Sequence, residues 1–254
     1  AVRPRVSLIH RSDGKREKPI AANVTQAIVV VAAVPRPNPE FIDCCLTALE
    51  HAGVKPLLVQ NKIDLDAPRT LKRELLARYE ALGYPVWELS AHASVDPLRP
   101  ALEGEASLLI GQSGVGKSTI LTALLPGANA RTGGVSRSEA GRHTTTHARL
   151  YRLGDGVLID SPGMHRFGLS HIAPTELAHC FVEFRAWLGQ CRFNDCRHLD
   201  EPGCALGAAL RRGEVRPERM QIYRKLMHSL AATRSASRRS EPARNRQQPD
   251  DEEP

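Results

Sequence analysis

The run Gly111-Gln112-Ser113-Gly114-Val115-Gly116-Lys117-Ser118 spells G-x-x-x-x-G-K-S, between an apolar stretch and a helix-forming one that opens with Thr119. The spacing suits phosphate binding. Glycines let the backbone turn tightly enough for successive N–H groups to point at phosphate oxygens, and the following helix adds its positive N-terminal end. Lys117 is placed to reach the β- and γ-phosphates and assist their chemistry, and Ser118 to ligate Mg²⁺. A plain glycine turn is the alternative; the flanking strand and helix favour the nucleotide. A second set, Asn61-Lys62-Ile63-Asp64, follows another apolar run. The Asp64 carboxylate can accept two hydrogen bonds, from guanine N1–H and the exocyclic amino group, whereas adenine would leave it unpaired. Asn61 is assigned to the far edge of the base and the Lys62 stem to its ring face. Ser90-Ala91, after the next apolar run, fits a backbone loop that supports the base. Asp160-Ser161-Pro162-Gly163 suits a carboxylate holding Mg²⁺ through water, with the Gly163 N–H facing a γ-phosphate. Taken alone, that tetrad reads sooner as a turn or helix cap; its place in the set favours the nucleotide.

A third constellation is Cys191, Cys196, His198 and Cys204, C-x4-C-x-H-x5-C. Three thiolates and one imidazole make a closed tetrahedral site for one structural Zn²⁺ per chain. Four ligand residues within fourteen positions favour a metal over buried free cysteines or disulfides. Cys44, Cys45 and Cys180 read instead as small residues of helix cores.

These groups need elements to position them. Residues 27–34, 56–60, 85–89 and 107–110 are apolar, strand-sized runs, and 41–52 and 70–82 are helices, each closed by a glycine. Strand and helix alternate, which predicts an α/β domain with a mostly parallel sheet and helices on both faces. Residues 147–153 and 157–159, joined around Gly154-Asp155-Gly156, predict an added hairpin. Residues 5–20 form a short basic, strand-like stretch with a turn at Asp13-Gly14. Past residue 172 a helix over 174–188 is expected to lead into the Cys/His cluster, followed by a basic helix over 215–232. From Ser235 the Arg-, Ser-, Pro- and Asp/Glu-rich composition predicts disorder. The expected units are residues 1–22, 23–172, a small helical metal-binding domain over 173–234, and a tail over 235–254.

The net charge of +7 favours a polyanionic partner only weakly. Aromatic residues make up 4% of the chain, which argues against a large stacking surface for single-stranded nucleic acid. No apolar run approaches a membrane span and no basic-then-apolar start is present, so a cytoplasmic monomer without membrane contact is expected.

The motif order is Asn61…Asp64, Ser90-Ala91, Gly111…Ser118, Gly141…Thr146, Asp160…Gly163. Ordinary small GTPases place the phosphate loop first, so this is the same cycle opened at another point, which a compact sheet with adjacent termini tolerates. On these motifs, with Ala21-Ala22-Asn23-Val24, Leu65, Gly141-Arg142-His143-Thr144-Thr145-Thr146, Phe167-Gly168-Leu169 and the Cys/His cluster, the chain resembles the ribosome small subunit-dependent GTPase A family over about residues 6–230. The resemblance implies a circularly permuted P-loop GTPase domain followed by a zinc-binding domain. It also implies GTP and GDP as ligands and action on the small ribosomal subunit and its rRNA during late maturation. The family has an N-terminal OB-fold, of which only about the last two strands, in residues 5–20, find a match here.

Many GTPases carry a glutamine just after D-x-x-G to orient the attacking water; here Met164 stands there. His143, in the loop expected to cover the γ-phosphate, and then His147 are the candidates to accept from that water. Thr145 is the expected second Mg²⁺ ligand, with Thr144 and Thr146 as adjacent rivals. Two other readings stand beside this one. The first is a zinc-dependent rRNA-binding protein that keeps nucleotide as a structural ligand, which Met164 supports. The second is a permuted GTPase serving another assembly.

Overall fold

The computed structural model describes residues 4–12, 17–65, 69–126, 148–161 and 169–240. The Asp13-Gly14 turn, the 141–146 motif with His143 and Thr145, His147, Gly163 and Met164 lie outside them.

β1 (Leu8–Ser12) and β2 (Glu17–Ala22) form an antiparallel pair, with an irregularity between Ile9 and His10. Asn23, at φ 57°, stitches this pair to the core. Its N–H donates to Ser7 O (3.0 Å) and its side chain accepts from Val6 N–H (2.8 Å), while Ser7 Oγ donates to Val24 O (2.7 Å).

β3 (Gln26–Ala32) is buried at every residue. Its even and odd positions feed two separate apolar clusters, as the period of a strand requires. α1 (Pro39–His51) starts where the Asn38 side chain accepts from the N–H groups of Glu40 (3.0 Å) and Phe41 (3.4 Å). It ends before Gly53, which is in the left-handed region. Ile42, Leu46 and Leu49 recur on one face and are fully buried. β4 (Lys55–Asn61), α2 (Arg69–Glu80), β5 (Val86–Glu88), a 3₁₀ turn Asp96–Leu98, the single turn α3 (Arg99–Leu102), β6 (Ala106–Gly111) and α4 (Lys117–Leu124) follow. β7 (Arg149–Leu153) and β8 (Gly156–Asp160) form the expected hairpin. The six strands lie in the order β5-β4-β3-β6-β8-β7, all parallel except β7.

The region after residue 172 departs from the sequence expectation. The single helix expected over 174–188 is broken into α5 (Pro174–Leu177), a 3₁₀ turn Ala178–Cys180 and another, Val182–Trp187. The break falls at Phe181, whose extended backbone lets Phe181 and Phe184 stack (4.8 Å between centroids) with both edges against Tyr223. Tertiary packing of three rings outweighs local helix propensity. A helix absent from the sequence reading, α6 (Ala205–Arg211), follows the cysteines. α7 (Pro217–Ser240) continues past Ser235, so the backbone is helical where composition alone predicts disorder.

One apolar cluster runs unbroken from the odd residues of β3 through α1 to Phe181, Phe184, Leu206, Met220 and Tyr223. The same join carries charge. Arg219, 6% exposed, donates to Glu183 (Nε–Oε1 2.5 Å) and to Asp43 of α1, and lies over the Phe181 ring at 4.5 Å. Burial raises the Asp43 carboxyl above its ordinary value, against the opposing pull of Arg219. Lys225–Glu40 and Arg185–Glu50, both 2.6 Å, add exposed and half-buried pairs on the same helix. Among the described residues, no helix is long and apolar enough to cross a membrane.

Candidate nucleotide and metal sites

Parallel strands bring Asn61 (β4), Gly111 (β6) and Asp160 (β8) to one edge of the sheet, the carboxyl edge at which α/β folds bind ligands. The glycines there are sterically required. A Cβ on Gly111 would sit 2.6 Å from Val30 O, and one on Gly116 would sit 2.2 Å from Asn61 Nδ2. Gly116, at φ +99°, also begins α4, so the phosphate loop turns directly into a helix N-terminus.

Asn61 is 1% exposed and spends its amide on the protein. Its Nδ2 donates to Val115 O and its Oδ1 accepts from Ala91 N–H, each at 2.9 Å. These bonds use one of the two Nδ2 hydrogens; the other is the one that could serve the far edge of the base. A buried amide between two backbone groups ties the phosphate loop to the Ser90-Ala91 loop. Lys62, at φ 62°, donates through Nζ to Gly114 O (2.6 Å) and Val34 O (3.0 Å). Ile63 N–H donates to Leu89 O (3.4 Å). Asp64 is exposed beside Ser90, whose hydroxyl holds the carboxyl below its ordinary value.

Lys117 Nζ donates to Gly111 O (2.6 Å) and Gln112 O (2.8 Å) from within the turn. Burial lowers its affinity for the proton, opposed by the nearby Asp160 carboxylate. Burial in turn raises Asp160, opposed by Lys117 and Arg149. The pair thus concentrates opposite charges where phosphate and cation chemistry would occur. The loop is Gln112, Ser113, Gly114, Val115 and Gly116, with Val115 buried as its anchor and Ser118 and Thr119 on the first turn of α4.

The second site lies in the loop 191–204, against the start of α6. His198 Nδ1 is 3.4 Å from Cys191 Sγ, 3.7 Å from Cys196 Sγ and 3.6 Å from Cys204 Sγ, and the four ligand atoms lie within 4.8 Å of one another. Ordinary Zn–S and Zn–N bond lengths in a tetrahedron give an S···N edge of about 3.6 Å, so this donor set fits one zinc. Burial pushes the Cys196 thiol up to about 12 and keeps the His198 imidazole neutral, the form that ligates. A cation is what would hold these sulfurs as thiolates.

Groups around the ligands are fixed as well. Ala205 N–H donates to Cys191 Sγ and Gly207 N–H to Cys204 Sγ, both at 3.3 Å. Glu201 accepts from Arg197 N–H (3.0 Å) and Leu199 N–H (2.9 Å) and lies 3.7 Å from Cys196 Sγ. Burial acts to raise its carboxyl, but the backbone donors outweigh it and the net shift is downward. Tyr223 Oη donates to Arg197 O (2.7 Å) and Arg224 to Leu199 O (2.6 Å), fastening the loop to α7. Neither Glu201 nor the Lys62–Val34 tie is visible in any sequence pattern, because their partners are backbone atoms of the folded loops.

A family model described as RsgA GTPase matches residues 2–170. The Small ribosomal subunit biogenesis GTPase RsgA of Nitrosomonas europaea is 50% identical over 232 residues, covering 89% of this chain and 74% of that protein. Its namesake in Nitrosospira multiformis is 49% identical over 236 residues, covering 92% and 75%. Among solved structures, YjeQ from Thermotoga maritima aligns with a TM-score of 0.72 at 34% identity, over 91% of this chain and 77% of that one. YloQ, described as a circularly permuted GTPase, aligns with a TM-score of 0.69 at 26% identity, over 91% and 82%. With its phosphate loop on β6 following Asn61-Lys62-Ile63-Asp64 on β4, and its sheet closed in the same cycle, the chain belongs to the RsgA GTPase family and is a circularly permuted GTPase.

Proposed function

We propose that this chain hydrolyses GTP in step with maturation of the small ribosomal subunit, binding the subunit and its rRNA and leaving after hydrolysis. The observation that carries the nucleotide part is the Asn61 bridge. A single buried amide joins the phosphate loop to the base-side loop, so both halves of a nucleotide cradle are held in one register. The ribosomal part rests on the names of the relatives and on the basic charge.

In this reading Lys117 and the loop N–H groups from Gly111 to Ser118 hold the β- and γ-phosphates, and Thr119 extends the contact on the helix. Asp64 reads guanine, with Lys62 covering the ring and Ser90-Ala91 behind the base. Mg²⁺ bound with GTP neutralises phosphate charge. Ser118 and Thr145 would ligate it, Asp160 would hold its water, and the Gly163 N–H would face the γ-phosphate. His143, then His147, would accept from the attacking water. Cys191, Cys196, His198 and Cys204 would hold one structural Zn²⁺. The chain works as a cytoplasmic monomer without membrane contact, built from an N-terminal strand pair, a GTPase domain to about residue 172 and a zinc-binding module after it.

Turnover of GTP measured with and without small ribosomal subunits tests this reading; subunits should raise the rate, and no stimulation would overturn the ribosomal role. Base choice is tested by dissociation constants for GTP, XTP and ATP. Asp64→Asn should weaken GTP and favour XTP, and tight ATP binding by the parent chain would count against guanine selection. Because Ser90 depresses the Asp64 pKa, GTP affinity should be lost at a lower pH than an unassisted carboxylate would give, and Ser90→Ala should move that loss to higher pH.

A further inference from the structure

A cavity of about 730 Å³ opens between α5, the metal loop and α7, with the candidate metal ligands Cys191, Cys196 and His198 in its lining. Met227 and Tyr223 line it together with His179, His228 and Asn194, which can hydrogen-bond to the edges of flat heterocycles. Phe193 stands at the cavity with 43% of its surface exposed, and the Arg192 guanidinium lies over it at 5.3 Å. Tyr223 and Arg224 of α7 donate to loop carbonyls and tie 191–204 to that helix, while Glu201 ties the loop to itself.

The helix that forms one wall also sets a direction. Tyr223, Met227 and Ala231 line the cavity at a spacing of four residues. The 3.6-residue period places positions 234 and 238, both arginine, on the same arc of α7 beyond the cavity. A polyanion leaving the cavity along α7 therefore meets two basic positions in line.

We propose that this cavity takes an unstacked nucleotide of single-stranded RNA, its base packed on Phe193 and its following phosphates running along α7 towards Arg234 and Arg238. The 4% aromatic content rules against a broad stacking sheet, and this arrangement needs only one ring at one place. The inference rests on the ribosomal reading and gives that reading a chemical subsite.

The test uses the full chain with its metal and fluorescent RNA decamers, single-stranded and duplex, with anisotropy read over a salt series. Phe193→Ala should weaken the single strand about tenfold without changing the salt slope, and Phe193→Trp should retain affinity. His228→Ala, on α7 and apart from the metal loop, should weaken the same oligomer. Arg234→Gln with Arg238→Gln should lower the salt slope by about 1.4. The proposal is overturned if the parent binds no single-stranded oligomer, as a cavity for a peptide side chain would behave. It is equally overturned if Phe193→Ala changes affinity by less than roughly twofold or affects duplex and single strand alike. Naked oligomers report on the cavity alone, whereas stimulation of GTP turnover by ribosomal subunits reports on the reading beneath it, so the two can fail separately.

Discussion

The chain holds two ligand-bearing loops built by opposite means. The phosphate loop, 111–118, hangs between a buried strand and a helix. It is fastened from outside by Asn61 on Val115 O and Lys62 on Gly114 O, and from within by Lys117 on the carbonyls of Gly111 and Gln112. Its centre is backbone. The metal loop, 191–204, has no strand on either side, and its centre is four side chains whose sulfurs and imidazole crowd within 4.8 Å. The first loop keeps its shape through the sheet that carries it, and its ligand completes it. The second gathers groups that have no reason to converge without a cation. The difference teaches where each proposed ligand would sit in the energetics: nucleotide would be bound by the fold, whereas metal would be part of folding.

The largest expected effect breaks the second loop. Chelation, or Cys204→Ser, should remove on the order of 10 kcal/mol of metal-linked free energy and open the 191–204 loop to proteases. GTP affinity should change far less. Elemental analysis, limited proteolysis and nucleotide titration on the same sample check this, and an unaltered proteolysis pattern after metal removal would refute the contrast. Next is the join between the two regions. Arg219→Ala leaves the Asp43 and Glu183 carboxylates buried together and should cost about 3–5 kcal/mol, read by denaturant unfolding. A middle-sized effect attacks the first loop. Asn61→Ala strands two buried backbone groups and should weaken GTP about 30-fold, near 2 kcal/mol, while zinc content stays at one per chain. The smallest is Glu201→Gln, which removes charge beside Cys196 but keeps a hydrogen-bonding oxygen. It should loosen zinc by about tenfold in a competition titration and leave nucleotide binding alone.

Legibility in the sequence followed the same divide. The strands around the phosphate loop were readable because apolar runs such as 27–34 and 107–110 have no alternative to burial, and the observed β3 and β6 differ from them only at their ends. The metal ligands were readable from residue type and spacing. What escaped was whatever depends on partners distant in the chain. The Asn61 tie was hidden because its partners, Val115 and Ala91, lie 54 and 30 residues away and are reached through backbone atoms. The helix expected over 174–188 failed for a related reason. Its period was helical, but Phe181 and Phe184 answer to Tyr223, about forty residues on, and break the helix to reach it.

The strand order also fixes a sequence of events during synthesis. β3 is the first core strand to be made, yet it sits in the middle of the sheet, between β4 and β6. Once Asn61 has emerged from the ribosomal exit tunnel, β3 has one neighbour outside it; the other, beginning at Ala106, has not yet emerged. At roughly 5–20 residues per second that interval lasts about 2–9 s. Throughout it, a strand buried at all seven positions in the finished molecule presents one unsatisfied edge, the geometry that recruits foreign strands. Opening the GTPase cycle at this point therefore gives the newborn chain a defined window of vulnerability, which closes when the phosphate-loop strand arrives.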